Sequence, residues 1–255
     1  MERQLKVTVL EHTPNFERNV ARAGKLCYSP STIEELNNKL TDEEVTRYLE
    51  MILGIGHGSI LEHSTITFGI EGVSRSLTHQ LVRHRVGTNF SQKSQRYVSE
   101  SDFGYIVPVE IKNDSYANYE FEKVMDDIKR AYNNIANSLQ KKYESEGMPS
   151  FQAKKKAFEN ARAVLPNATE TKIIVTMNIR SLFNFFKERL CERSQDEIRE
   201  MALQMWRECM KISPTIFKYA TPTCVNGRCK EGKMTCGKVV EVRNKFNSEI
   251  IKRNK

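Results

Sequence analysis

No apolar run in this 255-residue chain approaches the ~18 residues that would cross a bilayer as a helix. The opening stretch, Met1-Glu-Arg-Gln-Leu-Lys, has no apolar signal-peptide core. These two absences predict a cytoplasmic protein with no membrane partner. Histidine is scarce: there are five, and none lies beyond His84. That matters for the cysteines. Three of the six, Cys224, Cys229 and Cys236, form a C-x4-C-x6-C cluster near the C-terminus. Zinc takes four thiolate or imidazole ligands, so this segment cannot complete a tetrahedral site alone. A fourth ligand would have to come from elsewhere in the fold or from another subunit. The expectation is therefore no metal and a cluster of free thiols. Cys27, Cys191 and Cys209 fall in apolar or helical patterns and read as small buried hydrophobes. There is no internal repeat, and 39% hydrophobic with 28% charged residues excludes a disordered composition.

The formal charge of +8 raises the question of nucleic acid. Between Val225 and Lys255 nine Lys/Arg stand against three Glu, which places six of the eight net charges in that stretch. The remainder is close to neutral. The excess reads as a solvated basic tail, and a nucleic-acid partner is not expected.

Periodicity divides the rest. Leu5, Val7 and Val9 alternate in a first strand, and 16–25 and 33–40 read as helices. Thr41-Asp-Glu-Glu44 is a capping box, opening a helix with Val45, Tyr48, Leu49 and Ile52 on one stripe. Glycines at 54, 56 and 58 end it. Ile66, Phe68 and Ile70 alternate in a strand over 64–70, and 72–84 reads as a helix with Val73, Leu77 and Leu81 spaced by four. A short extended segment at 105–109 is followed by a long helical region over 113–146 and a helix over 150–163, stopped by Leu165-Pro166. A buried strand is expected at 172–177. Helices follow at 180–190 and 196–212, the second opened by a Ser194-Gln-Asp-Glu197 box. The pattern is α/β: one mixed domain over 1–220, then a basic, Cys-containing extension over 221–255.

Chemistry concentrates in Arg83-His-Arg-Val-Gly-Thr-Asn-Phe-Ser-Gln-Lys-Ser-Gln-Arg-Tyr97. On a helix over 72–84, Gln80 and His84 share the sector of Val73, Leu77 and Leu81, so two polar side chains point with the core. Position alone makes them satisfied core residues. The loop that follows is dense in hydroxyl and amide groups, fed by guanidinium groups at 83 and 85 and closed by Arg96. Arginine's planar fork matches phosphate oxygens, so this combination suits a phosphorylated ligand.

Arg83-His84-Arg85 followed by Ser94-Gln-Arg96-Tyr97 resembles the signature of the flavin-dependent thymidylate synthases. Here eight residues separate Arg85 from Ser94, one more than the family's seven, and Gln92 stands where many members carry an acidic residue. The resemblance extends over about 22–220. Gly56-His57-Gly-Ser59-Ile-Leu-Glu62-His63 is similar to the family's GH-x-[ST]-x-x-EH segment. Glu159-Asn-Ala-Arg162-Ala-Val-Leu-Pro166 and Asn178-Ile-Arg180-Ser-Leu-x-Asn184-Phe with Arg189 resemble two further motifs.

The resemblance implies a small sheet packed against several long helices. It implies reductive methylation of dUMP to dTMP, with 5,10-methylenetetrahydrofolate as carbon donor and FAD, reduced by NADPH, as hydride donor. No enzyme nucleophile is implied, and no cysteine here lies in a motif that would supply one. It assigns catalytic roles to Arg189, beside the uracil ring, and to His57. FAD contacts fall to Ser59, Glu62, Arg83, His84, Arg85, Gln92, Asn178, Arg180 and Asn184, with Arg193 as a further candidate. Nucleotide contacts fall to Gln80, Arg83, Gln92, Ser94, Arg96, Arg162 and Arg189. It also implies a homotetramer with FAD sites shared between subunits. Read without the resemblance, Arg189 is an exposed helix arginine pairing with Glu188 or Glu192, and His57 is a turn residue.

Overall fold

The computed structural model describes residues 4–253; Met1–Arg3 of the opening stretch and Asn254–Lys255 of the basic tail lie outside them. In chain order the elements are β1 (Lys6–His12), α1 (Phe16–Leu26), α2 (Ile33–Lys39), α3 (Asp42–Gly54), β2 (Thr65–Ser74), α4 (Arg75–Leu81) and β3 (Thr88–Gln92). Then come α5 (Val109–Asn113), α6 (Ser115–Ser145), α7 (Ser150–Ala161), β4 (Glu170–Asn178), α8 (Ile179–Arg189), α9 (Asp196–Ile212), α10 (Pro214–Phe217), α11 (Thr223–Asn226) and α12 (Val239–Arg253). The strands form one sheet in the order β1-β2-β4-β3. The pairing is antiparallel: Asn178 N donates to Gly87 O, and Lys93 N to Lys172 O. Each strand advances by six positions between these two pairs, so no bulge interrupts β3 between them. Ile66, Phe68 and Ile70 of β2 and Ile173, Val175 and Met177 of β4 are buried, as their alternation predicts.

Between residues 72 and 92 two stretches differ from the sequence reading. The helix expected over 72–84 is only Arg75–Leu81, because β2 continues to Ser74. Gly72 lies at φ 67°, where a Cβ would meet Gln4 O at 1.9 Å, and the Ser74 hydroxyl then accepts Leu77 N at 3.0 Å to start the helix. The loop expected after Arg85 contains β3.

The chain divides into two compact units. One takes the chain up to Lys6, Ile70–Leu81 and Ser91–Ile173; the other takes Val7–Gly69, Val82–Phe90 and the chain from Ile174 onward. In the first, α6 is capped by Asp114, whose carboxylate accepts Ala117 N at 2.8 Å. Ala153, Ala157 and Ala161 are fully buried along α7, and this small-residue stripe lets α7 approach α6 closely. Tyr132 of α6 stacks on Phe158 with centroids 6.5 Å apart. The segment expected to be extended at 105–109 makes a single bridge, Tyr105 to Thr169, and Tyr105 and Val107 join Phe103 and Met125 in a local core.

In the second unit the Thr41/Glu44 capping box forms, and Thr32/Glu35 makes another that the sequence reading passed over. The Ser194/Glu197 box does not form. Ser194 Oγ donates instead to Glu188 O at 2.8 Å, closing the end of α8, and α9 starts after Gln195 without a side-chain cap bond. Phe185, Phe186, Trp206 and Phe217 are fully buried, and Trp206 Nε1 donates to Phe217 O at 3.1 Å. The C-terminal segment is more than a solvated tail. Val242 and Phe246 of α12 are buried, the Phe246 ring meets Trp206 at 5.2 Å, and Arg207 grips Glu249 through two bonds of 2.9 and 2.5 Å. Burying a phenylalanine contributes roughly 2–3 kcal/mol, enough to hold the helix down despite the lysines on its outer face. Of the cysteines read as core, only Cys209 is buried; Cys27 ends α1 exposed and Cys191 is half-buried just past α8. No helix among the described residues is long and apolar enough to cross a membrane.

Candidate active site

In the second unit the assigned residues gather around α8. Asn178 caps this helix, its side-chain oxygen accepting Ser181 N at 2.8 Å. The turn after Arg85 docks on the same end: Ser181 Oγ donates to Val86 O, and Asn178 N donates to Gly87 O at 3.1 Å. Gly87 is at φ 65°, and a Cβ there would lie 2.3 Å from Asn178 Nδ2, so both conformation and space require glycine. Ile179 N donates to Ser64 O at 3.1 Å, and Arg180 Nη1 binds Glu62 Oε1 at 2.5 Å. The Gly56–His63 turn is thereby tied to the start of α8. His57 and Ser59 are exposed on that turn, with Gly56 at φ 82°.

Three turns along α8, Arg189 Nε donates to His84 Nε2 at 3.0 Å. His84 is half-buried, its ring edge-on to Phe185 at 5.1 Å. Burial first, and the Arg189 charge second, hold its pKa below the ordinary imidazole value, with Glu188 opposing them. A neutral ring that accepts at Nε2 carries its proton on Nδ1. Glu188 stands 3.9 Å from Nε2, and Glu192 engages Arg199 at 3.5 Å. The bland reading of Arg189 as a partner of those glutamates is therefore replaced by the His84 bond. His84 does not lie on a helix; α8 buries it, not the α4 face invoked from spacing. Arg83, Arg85 and Asn184 are exposed, and neither arginine makes an ion pair among the described residues. Arg193 is occupied elsewhere, binding Met234 O at 2.6 Å and Glu231 at 3.2 Å.

The first unit holds the other group. Gln92, at the end of β3, donates to Thr78 Oγ1 at 2.9 Å and Thr171 Oγ1 at 3.3 Å. Gln80 is half-buried on α4. Ser94 opens a turn, its hydroxyl accepting Arg96 N at 3.2 Å. Arg96 Nη2 pairs with Glu159 at 3.0 Å, while its Nε is buried with no acceptor among the described residues. Arg162 follows α7 and is half-buried.

Sequence reasoning missed the support beneath Ser94 and Arg96. Lys93 Nζ stands 2.9 Å from Glu100, which is 2% exposed, and 4.0 Å from Glu170. Burial raises the Glu100 pKa and Lys93 opposes the rise. Glu100 N donates to Tyr132 Oη at 3.2 Å, fixing the far side of the turn. Arg75 was also missed. Burial lowers its pKa, Glu100 raises it, and the charge of Arg162 lowers it again. A single glutamate seven positions past a lysine gives no periodic signal, so only tertiary structure reveals this group.

The chain matches the family described as thymidylate synthase complementing protein over residues 8–215. It is 52% identical to a flavin-dependent thymidylate synthase of Clostridium tetani over 239 residues, covering 94% of this chain and 96% of the relative. It is 45% identical over 249 residues to a protein of the same name from Geobacter sulfurreducens, covering 97% and 100% of the two chains. Among solved structures, a UMP/dUMP methylase PolB from Streptomyces cacaoi bound with 5-Br dUMP superposes with a TM-score of 0.62 at 22% identity, over 86% of this chain and 95% of that one.

Proposed function

This chain belongs to the family of thymidylate synthase complementing proteins, the flavin-dependent thymidylate synthases, and from that premise we propose that it is the methyltransferase that converts dUMP to dTMP. Bound FAD, reduced by NADPH, supplies the hydride that joins the methylene group of methylenetetrahydrofolate to become the new C5 methyl. The side chains around α8 fit such a group. Arg83, Arg85, Ser59, Asn178, Arg180 and Asn184 offer donors or cations to an acceptor-rich, anionic dinucleotide. The one carboxylate assigned there, Glu62, is already paired with Arg180. His84 and Gln92 complete the proposed FAD set.

The observation that carries the reading is the Arg189–His84 bond. Arg189 spends its Nε on a neutral imidazole, and its two terminal NH2 groups have no partner among the described residues. They can stabilise negative charge on uracil N3 and its neighbouring carbonyl, which makes C5 electron-rich without an enzyme adduct. A protonated His84 could not accept that bond, and burial keeps it neutral. His57, exposed on its glycine turn, is assigned to the reacting end. Arg96, whose buried Nε lacks an acceptor, would bind the nucleotide with Arg162, Ser94, Gln80, Gln92 and Arg83; a phosphate oxygen is the natural partner for that donor.

We assign residues 1–220 to catalysis and 221–255 to an extension folded onto it. A cytoplasmic homotetramer with shared FAD sites fits the exposed Tyr116 and Tyr119 of α6 and Phe151 of α7 (75, 62 and 78% exposed), which a subunit contact would cover. The decisive experiment is to purify the protein, record its flavin spectrum, and follow dTMP formation from dUMP, methylenetetrahydrofolate and NADPH. Arg189→Ala should retain flavin and lose turnover by about 10²–10³-fold, the size of a lost charge-stabilising donor. A preparation that takes up no FAD, or full turnover in that variant, overturns the assignment.

A further inference from the structure

The turn that carries Ser94 and Arg96 is fastened at both ends. At its start, just past β3, Lys93 N donates to Lys172 O of β4 at 3.0 Å. At its finish Glu100 N donates to Tyr132 Oη at 3.2 Å, and Tyr132 is fully buried in α6. Between them the bonds are short-range: Val98 N donates to Ser94 O at 3.1 Å and Arg96 N to Ser94 Oγ at 3.2 Å. The two ends are also joined to each other. Lys93 Nζ sits 2.9 Å from one carboxylate oxygen of Glu100 and donates to the other at 3.1 Å. The side chains are 21 and 2% exposed. Glu170 stands 4.0 Å from the same ammonium, and its other oxygen accepts Gly72 N at 3.4 Å.

Such a pair is a poor source of stability. Taking two charges out of water costs about as much as their attraction returns, and an apolar pair of similar volume would serve as well. What the charges add is a fixed geometry. An apolar chain end can settle in several rotamers, whereas a buried ammonium must stay with its carboxylate. The same carboxylates also commit the lysine. Lys93 adjoins Ser94, yet its charge is already taken up by Glu100 and Glu170, so it is not a free phosphate ligand.

Resting on the assignment of Ser94 and Arg96 to the nucleotide, we propose that Lys93 and Glu100 are positioning residues for dUMP: their ion pair closes segment 93–100 into a loop of fixed shape, so that the Ser94 hydroxyl and the Arg96 guanidinium are set before the nucleotide arrives. Neither residue touches the substrate. Ordering this segment at the moment of binding would cost backbone entropy for every residue fixed, and the pair moves that cost into folding, where it no longer weakens the complex.

The test is calorimetric titration of dUMP into the flavin-loaded protein, with steady-state kinetics beside it. Lys93→Met should weaken dUMP binding and raise its KM by about tenfold or more, the size of one misplaced charged hydrogen bond. Its kcat at saturating dUMP should stay within about twofold, with flavin content unchanged. Lys93→Met/Glu100→Gln leaves no unpaired carboxylate and should regain thermal stability, yet bind dUMP as weakly as Lys93→Met. Phe246→Ala, destabilised in the other unit, should bind dUMP as wild type does. Glu100→Gln, whose neutral amide holds the lysine less firmly, should weaken dUMP binding by about threefold or more. Unchanged or tighter binding in Glu100→Gln would make Lys93 a direct phosphate ligand and overturn the proposal. So would wild-type affinity in the double variant, or weakened binding in Phe246→Ala equal to that in Lys93→Met. Wild type that takes up flavin and binds no dUMP would instead refute the nucleotide site on which the pair acts.

Discussion

Gly87→Ala tests how the turn after Arg85 is locked to α8. An alanine at φ 65° occupies the left-handed region, at a cost of about 1–2 kcal/mol. Its Cβ would also fall 2.3 Å from Asn178 Nδ2 and 2.6 Å from Ser181 Oγ, so the Asn178 side chain must leave and α8 loses its cap, about 1 kcal/mol more. The expected loss is about 2–3 kcal/mol, which lowers the thermal midpoint by about 4–12 °C in a chain of this size. Asn178→Ala alone should cost only the cap. In the double variant the side chain that clashes is already gone, so the two losses should fall short of additivity by about 1 kcal/mol. Thermal and urea melts of the four proteins read this directly. A Gly87→Ala loss under about 0.5 kcal/mol, or strict additivity, would refute the packing described.

Three further outcomes are expected. Because the folded protein holds His84 neutral, its contribution to stability is complete above the usual imidazole value of about 6.5 and is lost as pH falls from there through the depressed folded value. His84→Gln should flatten that acid limb in pH-dependent melts. Lys93→Met should cost about 3 kcal/mol near neutrality by leaving Glu100 ionised and unpaired. Because the folded Glu100 pKa is raised, the deficit should shrink as pH falls toward the ordinary carboxylate range and should largely vanish in Lys93→Met/Glu100→Gln. Phe246→Ala should destabilise by about 3–4 kcal/mol by emptying the space against Trp206; a change within error would return α12 to the status of a loose appendage.

Regular periodicity carried the sequence reading furthest. The α9 helix, the Thr41/Glu44 box and the alternation in β2 and β4 were legible because each is decided by neighbours a few residues away. The reading failed where distant chain decides. Ser74 and Gly72 look like the start of a helix by spacing, yet pairing extends the strand through them. Ser194 and Glu197 spell a capping box, but the serine is taken by Glu188 O. The site was legible as residue types in motifs, and the Arg189–His84 bond was not, because its partners stand 105 positions apart in the sequence. Lys93, Glu100 and Arg75 left no local pattern at all.

The chain from His84 to Gly87 runs along α8, touching Phe185 and Arg189 with one residue and Ser181 and Asn178 with the next few. Two motifs nearly a hundred residues apart in sequence are thus one mechanical part. A change in either one is therefore felt by the other. A graft that imported either motif from a distant relative without the other would bring a groove without its strap, so chimeras of this enzyme should tolerate crossovers outside the pair far better than between its halves.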